Sequence, residues 1–282
     1  RDRGQMRRVL MTPVVSARRV AVSYGATVAL APSDFDLPRG AVVSMIGPNG
    51  SGKSTVLNLI AGLVAPRTGS ISVGVDASRI SYVMQSTKVN EALPVTVREV
   101  VTMGRYASLG PYGRLRAEDR LVVDRVLDRM GIAGIAARHI HDLSGGQRQR
   151  VLVAQGLAQE HDLLLLDEPM TGVDLTTAQA IDDVIHTETM KGCTVVITTH
   201  DLSEAGLSEF VILLAGVVVA SGPPDVVLTE ENLLAAYGPS LLHAEEGRLF
   251  LDDPAHLPAA GRHAHRERSI HTEPDPAGSH GE

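Results

Sequence analysis

The chain has 282 residues, 44% of them hydrophobic, which suffices for one large or two modest domains with a sizeable core. A formal charge of −7 argues against a nucleic-acid binder that relies on a broad basic surface, and a lone cysteine, Cys193, rules out an internal disulfide and fits a reducing compartment. No apolar run reaches the roughly 20 residues a membrane helix needs, and no basic segment with a long apolar core opens the chain, so neither a span nor an export signal is expected.

Residues 1–13 read as a basic extension. Ala41 to Ile46 is a short apolar run of strand type, and Val56, Leu59, Ile60 and Leu63 then repeat at helical spacing. Between them lies GPNGSGKST, residues 47–55, which matches the phosphate-binding pattern GxxxxGK[ST] in its strand-loop-helix context. The ligand it implies is a nucleoside triphosphate. Gly47, Gly50 and Gly52 let successive amides turn inward toward phosphate oxygens, where a Cβ would obstruct them. Pro48, Asn49, Ser51 and Thr55 complete the loop, Lys53 is placed to reach the β- and γ-phosphates, and the Ser54 hydroxyl suits Mg²⁺. The helix start adds its partial positive charge.

From about Gln85 to Gln159 the pattern turns helical. Thr96 and Glu99 form a capping box, Val123, Val126, Leu127 and Met130 follow helical spacing, and Gly131 ends that helix. At its far end comes LSGGQRQR, residues 143–150, where Ser144 and Gln147 form a second capping box. Gly145 and Gly146 weaken the first turn, since glycine costs about 1 kcal/mol against alanine in a helix. Close approach of another group to bare backbone is the expected reason, and the helix start is a second candidate phosphate site.

Leu163 to Pro169 reads LLLLDEP: four apolar residues bury a strand and then deliver two carboxylates at its C-terminal edge, where ligands bind in open α/β sheets. Asp167 is placed to hold Mg²⁺, and Glu168 to polarise an attacking water as general base. Thr194 to Thr199 and Val211 to Leu214 read as further strands, so strands and helices alternate as in a mainly parallel sheet, and the whole apolar run Val211 to Ala220 reads as buried strand. Cys193 is read as a packing residue. Beyond Gly238 the composition shifts to Gly, Pro, His and charge, and residues 239–282 read as a loose tail. It carries His243, His256, His263, His265, His271 and His280, and two readings stay open for them: solvated side chains, or a zinc-sensing or buffering segment.

Together these motifs resemble the ATPase subunit of ATP-binding cassette transporters, over about residues 14–238, and LSGGQ is the most specific element. The resemblance implies an α/β phosphate-loop ATPase core, residues 14–85 and 160–238, with a mainly parallel sheet, an antiparallel β portion near the N-terminus and an inserted helical subdomain at 86–159. It implies ATP and Mg²⁺ as cofactors and a head-to-tail homodimer, with Ser144, Gly145, Gly146 and Gln147 of one subunit facing the ATP of the other. By position in the family order, Asp174 of TGVD would contact the facing loop. Gln85, after ISYVMQ, would meet Mg²⁺ and the attacking water. His200 would touch the γ-phosphate, and Tyr24 would stack on adenine. The partners implied are integral membrane permease subunits and, indirectly, an extracytoplasmic solute-binding protein, with the chain held at the inner face of the cell membrane. LPVTVREVVTMGRYASLG with TGVD is most similar to the subgroup serving zinc, manganese and iron-chelate importers. Within that subgroup the resemblance favours import of zinc or manganese, with an importer of an iron-siderophore or other chelate as the alternative. Behind these stand a cassette ATPase acting on DNA or ribosomes, for which the sequence shows neither long coiled-coil arms nor a second cassette, and a nucleotide-binding switch without transport.

Overall fold

In a computed structural model the chain is described over residues 13–85, 94–109, 113–238, 242–245 and 248–251. Two antiparallel strands, β1 (Val15–Tyr24) and β2 (Thr27–Leu37), open the fold. β2 alternates buried and more exposed side chains over residues 33–37, as a strand with one face on the core does, whereas β1 is interrupted at Arg18 and Arg19 and then buries Val20, Ala21 and Val22 in a row. β3 (Val42–Ile46) is buried throughout, as a central strand covered on both faces must be. The phosphate-loop sequence and α1 (Lys53–Ile60) follow, then β4 (Thr68–Val73), which pairs with β1 to give a three-stranded sheet ordered β2-β1-β4.

β5 (Ile80–Val83) leads into a helical section of α2 (Val97–Leu109), α3 (Ala117–Arg129) and α4 (Gly145–Ala158). The Thr96 and Glu99 capping box forms, with the Thr96 amide donating to Glu99 Oε2 at 2.7 Å and the Glu99 amide to Thr96 Oγ1 at 3.3 Å. α3 buries Val123, Val126 and Leu127 and stops before Gly131, whose φ of 63° ends a helix readily. The chain returns through β6 (Leu163–Leu166), α5 (Leu175–Met190), β7 (Thr194–Thr199), α6 (Leu202–Gly206), β8 (Phe210–Leu214), β9 (Val218–Gly222), α7 (Pro224–Val227) and α8 (Glu230–Tyr237).

The main sheet runs β5-β6-β7-β3-β8-β9, parallel except for β9. This is the expected α/β core with its antiparallel portion and helical section. The loops after β3, β5, β6 and β7 all leave the C-terminal edge of the sheet, the edge at which such sheets bind ligands.

Three local expectations need correction. Val211 to Ala220 is two strands, because Gly216 at φ 72° and the Ala215 amide bond to the Val217 carbonyl make a turn between β8 and β9. The first helix ends at Ile60: Gly62 at φ 71° turns the chain out, leaving Leu63 61% exposed. Within the stretch read as loose, β10 (Leu242–Glu245) and β11 (Arg248–Leu251) pair as an antiparallel hairpin that includes His243. The other five histidines of that stretch lie outside the described residues.

Candidate active site

The loop after β3 is wedged between two pieces of backbone. A Cβ on Gly47 would come within 2.1 Å of the Leu214 carbonyl oxygen, and one on Gly52, whose φ is 100°, within 2.8 Å of the Ala29 carbonyl oxygen. The turn between β8 and β9 braces the loop further, since the Gly216 amide donates to the Ser51 carbonyl at 2.9 Å while the Gly216 carbonyl accepts from Ala31 at 2.7 Å. Glycine is therefore demanded here by close approach as well as by conformation. Ala29 and Leu214 escaped the sequence reading because nothing local marks them as neighbours of the loop, and Gly216 because it lies inside an apolar run.

Lys53 is buried and donates to the carbonyls of Gly47 at 2.8 Å and Pro48 at 3.3 Å. Burial holds its pKa below the ordinary lysine value, and the Glu168 and Asp167 carboxylates oppose that shift. The ammonium thus sits folded over its own loop with two acids near, poised for a stronger anion. The cleft above it is lined by Ala29, Glu168 and the loop residues Asn49 to Thr55, including Gly50. Ser54 is exposed there, whereas the Ser51 hydroxyl is buried with no protein partner.

The two carboxylates after β6 behave differently. Asp167 is buried, with Oδ1 accepting from Thr198 Oγ1 at 2.7 Å and Oδ2 3.5 Å from the Tyr82 hydroxyl. Burial and that carboxylate push the Tyr82 phenol far above its usual range, so it stays protonated. Glu168 is half-buried, adopts φ 48°, and accepts on Oε2 from Gln85 Nε2 at 2.8 Å. The structure thus brings Gln85 and Glu168 into direct contact. His200, just past β7, is exposed, and Tyr24, at the end of β1, is 48% exposed.

Ser144 caps α4 as expected: its hydroxyl accepts from the Gln147 amide at 3.3 Å and its own amide donates to Gln147 Oε1 at 3.2 Å. Ser144 and Gly145 are exposed, and neither they nor Gly146 and Gln147 line the cleft over the phosphate loop. The two glycines differ. Around Gly145 a Cβ would meet nothing within 4 Å, but on Gly146 it would come 2.5 Å from Asp174 Oδ2 and 2.9 Å from Thr177 Oγ1. The close approach inferred for this pair is thus made at Gly146 by the chain's own Asp174. That carboxylate caps α5, accepting from the Thr177 amide and the Thr177 hydroxyl at 2.9 Å each, which holds its pKa below the usual range.

An ionic cluster around the buried Glu188 and His161 side chains lies apart from this edge. Arg129 of α3, Lys191 after α5 and His161 before β6 all meet Glu188 of α5, with Lys191 at 2.9 Å and His161 at 3.4 Å. Burial draws the His161 imidazole down, but the Cys193 sulfur, the Glu188 carboxylate and the Gln159 carbonyl outweigh it and hold the group up at about 10. Cys193 is a buried packing residue beside it.

The sequence profile of the ABC transporter family matches residues 30–171. The chain is 36% identical over 254 residues to the chelated iron transport system membrane protein YfeB of Yersinia pestis, covering 87% of this chain and 86% of that one. It is 38% identical over 230 residues to the manganese transport system ATP-binding protein MntB of Bacillus subtilis, covering 79% and 92%. Among solved structures, a chain described as belonging to a metal-chelate type ABC transporter in an inward-facing conformation aligns with a TM-score of 0.72 and 29% identity, over 84% of this chain and 95% of that one. Motifs, fold and relatives agree: this chain is a member of the ABC transporter family, an ATP-binding subunit of the kind that hydrolyses ATP.

Proposed function

We propose that two copies of this chain close head to tail on two ATP molecules, and that closure and hydrolysis drive a membrane permease that imports a metal ion, zinc or manganese. The observation that carries this reading is the division of phosphate-binding features. The loop at Gly47 to Thr55, Gln85, Asp167, Glu168 and His200 all follow strands at one sheet edge, while Ser144 to Gln147 start a separate helix with exposed groups.

In this reading ATP enters over the phosphate loop with its adenine on Tyr24. Lys53 exchanges its two carbonyl partners for β- and γ-phosphate oxygens, a trade of neutral acceptors for anionic ones. Ser54, Gln85 and Asp167 together offer a hydroxyl, an amide oxygen and a carboxylate, an all-oxygen set that suits Mg²⁺. The ion, when bound, would supply charge neutralisation between the phosphates. Glu168, oriented by Gln85, takes a proton from the water that attacks the γ-phosphorus, and the bond to the β-phosphate oxygen breaks to leave ADP and phosphate. His200, and from the second copy the Ser144 hydroxyl and the first-turn amides at Gly145 and Gly146, stabilise the charge that develops on the γ-phosphate. Asp174 and Gln147 set the shape of that second surface. ADP lacks the γ-phosphate and releases the pair.

A groove supports a membrane partner beside Gln85. It encloses about 380 Å³ between β5, α2 and α4, is lined by Met84, Met103, Ala107, Leu152 and Gln155 as well as Gln85, and leaves Met84 60% exposed. In this reading the apolar patch touching the residue that orients Glu168 seats a permease loop. Among the described residues no helix is long and apolar enough to cross a membrane. Attachment at the inner face through a permease is part of the proposal, as is a solute-binding protein outside. The name of YfeB favours a second reading in which the cargo is chelated iron.

Reconstitution with the permease and the solute-binding protein decides between them. Binding protein loaded with Mn²⁺ or Zn²⁺ should stimulate ATP turnover. Stimulation by an iron chelate alone would replace the metal-ion reading with the second one.

A further inference from the structure

Thr198 sits in β7 two residues before His200 and is 1% exposed. Its neighbours Val195, Val196 and Ile197 are apolar and buried, so a hydroxyl at this depth requires partners. It has two, and both belong to the acidic pair. Oγ1 donates to Asp167 Oδ1 at 2.7 Å and accepts from the Glu168 amide at 2.7 Å. The parallel register, with Leu166 opposite Ile197, delivers Thr198 to the level of Asp167.

The Glu168 backbone adds a reason for this arrangement. Its φ of 48° lies in the left-handed region, which side chains other than glycine occupy only when their surroundings hold them there. The bond from its amide to Thr198 is such a restraint, and the Gln85 bond fixes the other end of the same residue. With Oδ1 of Asp167 tied to the same hydroxyl, one side chain on the neighbouring strand sets the placement of both carboxylates.

We propose that Thr198 is a positioning residue for hydrolysis, aligning Glu168 for proton abstraction and fixing the Asp167 carboxylate through Oδ1. The inference rests on Glu168 as general base. Valine matches threonine in shape and lacks the hydroxyl, so Thr198→Val strips both bonds at once.

The test measures Thr198→Val, Thr198→Ser and Glu168→Gln side by side, reading kcat, KM for ATP, and binding of a fluorescent ATP analogue in EDTA. Thr198→Val should lower kcat about 10- to 100-fold, the effect of losing one or two hydrogen bonds at the reacting group. KM and metal-free binding should stay within about twofold, because the phosphate loop is untouched. Thr198→Ser keeps the hydroxyl and should restore kcat. A folded Thr198→Val with wild-type kcat overturns the proposal, as does a Thr198→Ser as slow as Thr198→Val. If Thr198→Val does not fold, Thr198→Ala takes its place against Thr198→Ser with the same two outcomes. Wild-type turnover by Glu168→Gln would remove the general-base reading itself. An inactive Glu168→Gln beside a fully active Thr198→Val removes only the role of Thr198.

Discussion

Around the phosphate loop, polar groups are committed to one another within the chain: Lys53 to its own loop carbonyls, Glu168 to Gln85 and Thr198, Asp167 to Thr198. At the start of α4 the arrangement is the reverse. Ser144 and Gln147 satisfy each other, but the first-turn amides of a helix have no intrahelical acceptors, and Ser144 and Gly145 stand exposed. The first region is closed on itself. The second is a capped helix start left exposed at Ser144 and Gly145, with the Asp174 carboxylate packed close to Gly146, and in the proposed reading its acceptor is the nucleotide of a second copy.

The largest effects should fall on the first region. Lys53→Ala removes the cation at the developing charge and should cut hydrolysis by about 1000-fold, with nucleotide binding weakened in the single chain. If it binds and hydrolyses ATP normally, the loop is not the phosphate site.

Gly146→Ala strikes the second region. Its new methyl would press on Asp174 Oδ2 and Thr177 Oγ1, so the start of α4 must shift. Hydrolysis should fall about 10- to 100-fold, the usual effect of overpacking, while a single chain binds ATP as before. Equal loss of binding and turnover would show that the two regions are not separable. Gly145→Ala, placed in open space, is the control.

The ionic cluster tests whether the helical section and the core depend on each other. Glu188→Gln leaves His161 and Arg129 without their carboxylate and should cost about 2–4 kcal/mol, less than a fully buried pair would because Arg129 and Lys191 are partly exposed. The pH dependence has a definite sign. His161 is raised from 6.5 to about 10, so its contribution is complete below 6.5 and lost as pH climbs toward 10. Burial pushes the Glu188 carboxyl up, but His161, Arg129 and Lys191 outweigh it and leave the group below 4.5, so its contribution is complete above 4.5 and lost as pH falls. Thermal melting from pH 4 to 10 should peak between those values, and His161→Gln should flatten the alkaline side. An unchanged alkaline slope would contradict the charged imidazole.

The smallest effect belongs to Tyr24. With the residue 48% exposed, Tyr24→Ala should raise KM for ATP about fivefold, the weak end of base stacking, and leave kcat alone. No change in KM would move adenine elsewhere.

What could be seen in advance follows sequence distance. The phosphate loop, both capping boxes and the acidic pair are short motifs whose physics is local, and each was legible with its neighbours. Gly146 was legible as a glycine that something approaches, but that something lies 28 residues away at Asp174 and carries no local mark. Thr198 read only as part of a buried strand, because its role exists through register with β6. The strand Val211 to Leu214 was legible, but extending it to Ala220 misled because continuous apolar character cannot reveal a turn, and only Gly216 hinted at one.

Sedimentation of Glu168→Gln with and without ATP and Mg²⁺ tests the shared site most directly. ATP should double the sedimenting mass, ADP should not, and Ser144→Arg added to the same chain should abolish doubling while single-chain ATP binding persists. A protein saturated with ATP that stays at the mass of one chain, or one that doubles regardless of Ser144→Arg, would contradict an active site built by two copies.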